Sequence, residues 1–159
     1  MSENRVVLTK EELNNLEAEL NELKTVKRRE NALEIQEARS HGDLSENAEY
    51  TEAKNEEARI NGRIQEIEQI LRIADVADET AAGADTVRVG SVVKVFDMTY
   101  EEEDEYTIVG YTGADPINMK ISNESPLGAA LIGAHVGDVV SANTPGGLVQ
   151  MKVLAIRKA

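Results

Sequence analysis

The chain has 159 residues, with 17 Lys plus Arg against 30 Asp plus Glu and a formal net charge of -13. So acidic a surface repels phosphate, which excludes broad electrostatic coating of DNA or RNA, and one Phe with no Trp excludes a base-stacking platform for single strands. With no Cys, disulfides, thiol chemistry and Cys-based zinc sites are excluded too.

The first ten residues, MSENRVVLTK, lack the apolar core of a signal peptide, and no run approaches ~18 apolar residues. A cytoplasmic chain with no membrane partner is expected. Thr9 followed by Glu12 is a capping-box signature for a helix start. Leu13, Leu16, Leu20 and Leu23 then recur as a heptad seam. The pattern reaches Arg39 and stops at Gly42. A second helix is expected to open near Asp43. In it Ala53, Ile60, Ile67 and Ala74 recur every seven residues, and Ile64 and Leu71 fill the other seam position. A loop this short makes the two helices antiparallel, and about 30 residues each at ~1.5 Å per residue gives roughly 45 Å. A register centred on Gly42–Asp43 sets Leu13–Leu23 against Ile60–Leu71. Lys27 and Glu30 then fall on seam positions near Glu57 and Lys54, and Lys27 is expected to approach Glu57. The alternative is a surface pair of little energetic value.

Residues 1–80 carry 20 acidic and 11 basic side chains and no Pro; all three Pro and nine of the eleven Gly follow. The expected division is an arm over 1–80 with an acidic tip at 42–46, a linker over 81–89 and a second domain over 90–159. The second half predicts strands at Ser91–Asp97, Glu105–Tyr111, Asn118–Ser122, Asp138–Asn143 and Leu148–Ile156. Ser125-Pro126 opens a short helix that Gly133 ends, packing Leu127, Leu131 and Ile132. Thr144-Pro145-Gly146-Gly147 suits a type II turn. The fold class is α+β in two domains: an antiparallel helical hairpin, then a small, mostly antiparallel twisted sheet with one short helix.

Between the helices stand Asp43 and Glu46, three apart at the expected helix start and so on one face. Two adjacent exposed carboxylates invite a hard cation, and Mg²⁺ is typically held by one or two carboxylates plus waters and phosphates. The pair is therefore half a metal site, to be completed by ligands from elsewhere. Asp43-Leu44-Ser45-Glu46 also reads as a capping box, with Asp43 as N-cap. Arg39 and Lys54 are candidates to meet a phosphate, or else to pair with Glu neighbours on their own helices. His41 and His135 read as exposed loop residues, and Glu101–Glu105 as a solvated loop between strands.

The run Ala38-Arg39-Ser40-His41-Gly42-Asp43-Leu44-Ser45-Glu46-Asn47-Ala48-Glu49-Tyr50 closely resembles the coiled-coil tip of the bacterial transcript-cleavage factors, the Gre family. Val87-Arg88-Val89-Gly90-Ser91 looks like that family's entry into its C-terminal domain. Ser125 through Gly133 and Thr144-Pro145-Gly146-Gly147 are similar as well, and the acidic balance resembles the family's acidic branch. The resemblance implies a hairpin that enters the secondary channel of bacterial RNA polymerase and an FKBP-like C-terminal domain that docks at the channel mouth. It implies that Asp43 and Glu46 help hold a Mg²⁺ shared with the polymerase active site. The polymerase then cleaves backtracked RNA near its 3′ end, so the chain stimulates an enzyme without being one. Arg39 and Lys54 are expected at RNA phosphates, Ser125 and Pro126 at the polymerase, and the chain as a monomer. Two features depart from the family pattern: Lys27-Arg28-Arg29-Glu30 runs on without a Pro, and Asn31 stands where an apolar residue is common. Two other readings stand beside this one: a channel-binding inhibitor without cleavage activity, and a prolyl isomerase. Against the second, the aromatic side chains of this half number four: Phe96, Tyr100, Tyr106 and Tyr111.

Overall fold

The computed structural model describes residues 5–43, 46–79 and 85–159. The expected linker at 81–89 lies partly outside these residues, as does the tip motif at Leu44 and Ser45. Two compact units form, one from Met1–Leu13 with Ala74–Ala159 and the other from Asn14–Ile73. They regroup the compositional halves, because strand β1 (Val6–Leu8) pairs in parallel with β2 (Ala74–Val76), 68 residues on at Val6↔Ala74. Ala74 is thus a strand residue and not the last seam position of a helix. Among the described residues no helix is long and apolar enough to cross a membrane.

In the first unit a five-stranded sheet runs β5-β4-β3-β7-β6, from β3 (Ser91–Asp97), β4 (Glu102–Val109), β5 (Lys120–Ser122), β6 (Val139–Thr144) and β7 (Gly147–Lys158). All neighbours are antiparallel except β4 and β5. The core gathers Val93, Val95, Ile108, Met151 and Val153 from the sheet with Val87, Leu131 and Ala134 beside it. Four of these are β-branched residues of the strands, which fit a pleated, half-buried surface. The acidic run is strand rather than loop from Glu102 onward: Lys94 Nζ lies 3.3 Å from Glu103 and Arg157 lies 3.2 Å from Glu105, so cross-strand cations offset its repulsion. The short helix forms where expected, over Pro126–Leu131, but Ile132 points to solvent. The hairpin turn at Pro145-Gly146 is not type II, since the positive φ (118°) falls on Gly147. The ladder of β6 with β7 runs in register up to the turn, at Thr144↔Gly147.

Helix α1 (Lys10–Glu22) starts as its capping signature predicts, with Thr9 Oγ1 accepting the Glu12 N–H at 3.1 Å. The Glu12 carboxylate does not close the box. It is 7% exposed and accepts the N–H of Gly110 at 2.8 Å, with longer contacts from the N–H and hydroxyl of Thr112. A Cβ on Gly110 would lie 2.5 Å from both Glu12 Oε1 and the Val7 carbonyl, so only glycine permits this approach.

The second unit is the hairpin. Its first helix is interrupted by a π-turn, Leu23–Lys27, before α2 (Arg28–Arg39); α3 (Ala48–Ile73) returns. In the π-turn the Arg28 N–H reaches back five residues to Leu23, and the Thr25 hydroxyl donates to the Asn21 carbonyl at 2.7 Å. Such a turn inserts one extra residue, which moves every later side chain one position around the helix. Lys27 and Glu30 therefore leave the seam, and Asn31, Ile35 and Ala38 enter it, with Asn31 and Ala38 buried. The expected approach of Lys27 to Glu57 gives way to pairs within each helix, Lys27 with Glu30 and Lys54 with Glu57. The antiparallel register itself holds: Asn31 Nδ2 donates to the Ala53 carbonyl at 2.9 Å, and Arg28 reaches Asn61 at 3.2 Å. On α3 the buried positions are Ala53, Ile60, Ile64, Ile67 and Ile70, and Leu71 is only half-buried. Opposite the leucines Arg63 grips Glu19 with two hydrogen bonds of 2.7 and 2.8 Å, which hold the Glu19 carboxyl below its ordinary value.

Glu12→Ala is expected to lower the stability of the sheet unit by about 2 kcal/mol in urea unfolding, because it leaves enclosed donors unpaired. Asn31→Asp is expected to cost the hairpin about 2 kcal/mol or more, since a carboxylate at a position 4% exposed meets a carbonyl; Asn31→Leu should cost less than about 1 kcal/mol, read from thermal melts of helicity. The depressed Glu19 pKa stabilises the fold above the unfolded carboxylate value of ~4.3 and is lost as pH falls through the folded value. Helicity should therefore become more heat-labile below about pH 4.5, and Glu19→Gln should flatten that dependence.

Candidate functional site: the hairpin tip

The tip is the segment that joins the last turn of α2 to the first turn of α3. α2 ends at Arg39, Ser40 caps it, and Gly42 turns the chain at φ 104°, a conformation other residues rarely adopt. Asp43 and Glu46 follow, both exposed to solvent. They lie before the helix, which opens at Ala48, so the expected placement of the two acids on one helical face gives way to placement on one loop. The expected capping box over Asp43 and Glu46 includes Leu44 and Ser45, outside the described residues, and the observed helix start lies beyond it, at Ala48. Asn47 takes the cap: its Oδ1 accepts the Tyr50 N–H at 3.0 Å, and its carbonyl accepts the Thr51 N–H at 3.1 Å. The Asn47 amide then donates to the Ala38 carbonyl at 2.6 Å, across to the other helix. Sequence reasoning missed this residue. The signal was available, since Asn is as good an N-cap as Asp, but Asp43-x-x-Glu46 competed for the same role four residues earlier.

Of the two cations near the tip, Arg39 is the last residue of α2 and is exposed. Lys54, nearly two turns into α3, is exposed and pairs with Glu57 at 2.7 Å; that carboxylate raises the Lys54 pKa, and Arg39 is near enough to oppose the effect. Lys54 therefore stays protonated at neutral pH. His41 pairs its Nδ1 with Glu49 at 3.0 Å, and so straps the loop to α3. Its counterpart His135 lies against Asp138. Among the described residues, no three His, Asp or Glu side chains are placed together to hold a metal ion. Two carboxylate groups alone supply a fraction of the six oxygens of a Mg²⁺ shell.

The second candidate region, Ser125-Pro126, sits in the other unit. The Ser125 hydroxyl is used in both directions, accepting the Gly128 N–H at 3.1 Å and donating to the Ser122 carbonyl at 2.8 Å, while Pro126 is exposed. A side chain at Gly128 would overlap the Ser122 carbonyl at 2.0 Å, so this corner is built around a small residue.

The sequence was compared with known families and proteins. The N-terminal family described as transcription elongation factor, N-terminal, matches residues 6–76, and transcription elongation factor, GreA/GreB, C-term, matches residues 82–158. The chain is 57% identical over 153 residues to transcription elongation factor GreA of Thermoanaerobacter pseudethanolicus, which covers 96% of this chain and 98% of that protein. It is 52% identical over 158 residues to transcription elongation factor GreA of Clostridium perfringens, covering 99% and 100%. Among solved structures, GreA factor homolog 1 of Thermus thermophilus shares 33% identity over 97% of this chain and 99% of that one, with a TM-score of 0.45. With both halves matched in order and more than half of all positions shared with relatives of equal length, the chain belongs to the GreA/GreB family of transcription elongation factors.

Proposed function

We propose that this elongation factor stimulates Mg²⁺-dependent cleavage of backtracked RNA by bacterial RNA polymerase, with Asp43 and Glu46 as its working groups. The observation that carries the reading is the exposure of both acids on one short loop, while a different residue, Asn47, caps the helix behind them. Carboxylate oxygens suit a hard divalent cation, and two of them leave most of the coordination shell to waters, RNA phosphate and the polymerase's own ligands. A Mg²⁺ held there supplies charge neutralisation at the scissile phosphate and a more acidic water.

The chain's own residues then have simple tasks. Asp43 and Glu46 bind the ion and orient the water. Arg39 and Lys54, flanking the loop on the two helices, offset the repulsion between an acidic tip and the RNA backbone near its 3′ end. The hairpin has the length to reach into a channel: α3 has 26 residues, about 39 Å at 1.5 Å per residue. Pro126, exposed beside the saturated Ser125 hydroxyl, is the proposed polymerase contact of the sheet unit. The factor works as a cytoplasmic monomer and is not a nuclease alone, because the remaining ligands belong to its partner. An inhibitor that merely fills the channel is not favoured, since both tip acids are present and exposed.

Adding the chain and Mg²⁺ to backtracked polymerase complexes is expected to shorten the transcript from its 3′ end. Asp43→Asn and Glu46→Gln should each slow this about 100-fold, about 2.7 kcal/mol of barrier, while competition binding to polymerase changes little. Undiminished cleavage by the double variant would sink the tip chemistry.

A further inference from the structure

The link between Asn47 and Ala38 has a consequence for the acids between them. Helix α2 ends with carbonyls that have no intrahelical partner, and α3 begins with N–H groups in the same condition. One side chain serves both. Asn47 Oδ1 takes the Tyr50 N–H, and Asn47 Nδ2 donates to Ala38, whose oxygen also accepts the His41 N–H at 3.2 Å. Ala38 is 2% exposed and Asn47 half-buried, so the link is sheltered from competing water. Asp43 and Glu46 both lie inside the loop that it closes. Of the ordinary side chains this size, only Asn offers an acceptor and a donor on a stem short enough for both: Asp lacks the donor, and Ser lacks the reach.

We infer that Asn47 is a positioning residue for the tip acids: its amide, by tying the start of α3 to the end of α2, holds Asp43 and Glu46 where they share one cation. The inference rests on the proposed role of those acids in Mg²⁺-dependent cleavage. A group that fixes the carriage of a metal ligand typically changes metal affinity or activity 10–100-fold when removed. Capping alone would change helix stability and leave the metal dependence where it was.

The test separates the two roles with Asn47→Ser and Asn47→Ala in the full-length chain. Ser keeps a capping oxygen but cannot reach Ala38; Ala lacks both. The readouts are thermal melts of helicity and the Mg²⁺ concentration giving half-maximal transcript cleavage by saturated polymerase complexes. Both variants are expected to raise that Mg²⁺ concentration about tenfold, with only Asn47→Ala clearly lowering the melting temperature. If the Mg²⁺ requirement stays at the parental value in Asn47→Ser, or rises only in proportion to lost helix stability, Asn47 is a cap and nothing more. Failure of the underlying reading looks different: Asp43→Asn and Glu46→Gln would then cleave normally. If those two lose cleavage while Asn47→Ser keeps the parental Mg²⁺ curve, the positioning role alone is overturned.

Discussion

One extra residue in the Leu23–Lys27 turn decides which side chains of the hairpin meet. A continuous heptad from Leu13 would carry Lys27 and Glu30 into the interface; the π-turn sends them to solvent and brings in Asn31 and Ala38. The physical driver is the cost of burying charge, which exceeds the cost of one irregular turn whose orphaned Asn21 carbonyl finds the Thr25 hydroxyl. Ala38 then lies buried where the Asn47 amide reaches it, so the closure of the tip depends on a phase change four turns away.

Among the described residues near the tip, the buried hydrophobic ones are Ala38 and Ala53, and both are small. Polar links carry the specificity: Asn31 to the Ala53 carbonyl, Asn47 to the Ala38 carbonyl, His41 to Glu49. A buried Asn in a helical interface selects one register, because any slip leaves its amide unpaired. Asn31, a polar residue at a buried position, gains its explanation here.

Toward the root the balance shifts to apolar seams and ion pairs: Leu16, Ile60, Ile64 and Ile67 are buried, and Arg63 sits on Glu19. Glu12 ties the first turn of α1 to the Gly110–Thr112 corner, where two close approaches demand glycine. The GreA/GreB family matches span both units of the chain, yet the chemistry proposed for the protein resides in one loop of one unit.

Much of this was legible in the residues themselves. The capping pair Thr9 and Glu12, the leucine and isoleucine repeats, the glycine stop at Gly42, the five strands and the capped helix at Ser125-Pro126 all express local preferences that need no partner to be read. The tip motif identified the two acids by resemblance. What local preference could not supply was any choice between near-equal options. Asp43 and Asn47 are both good caps, and only the position of the Ala38 carbonyl on the other helix favours Asn47. Lys27 and Asn31 both continue a plausible helix, and only the opposing face of α3 makes the π-turn the better solution. Ala74 extends a heptad until Val6–Leu8 offers it a strand partner from the far end of the chain. These decisions turned on which groups would be buried and left unpaired, and burial is a property of the assembled fold rather than of any one segment.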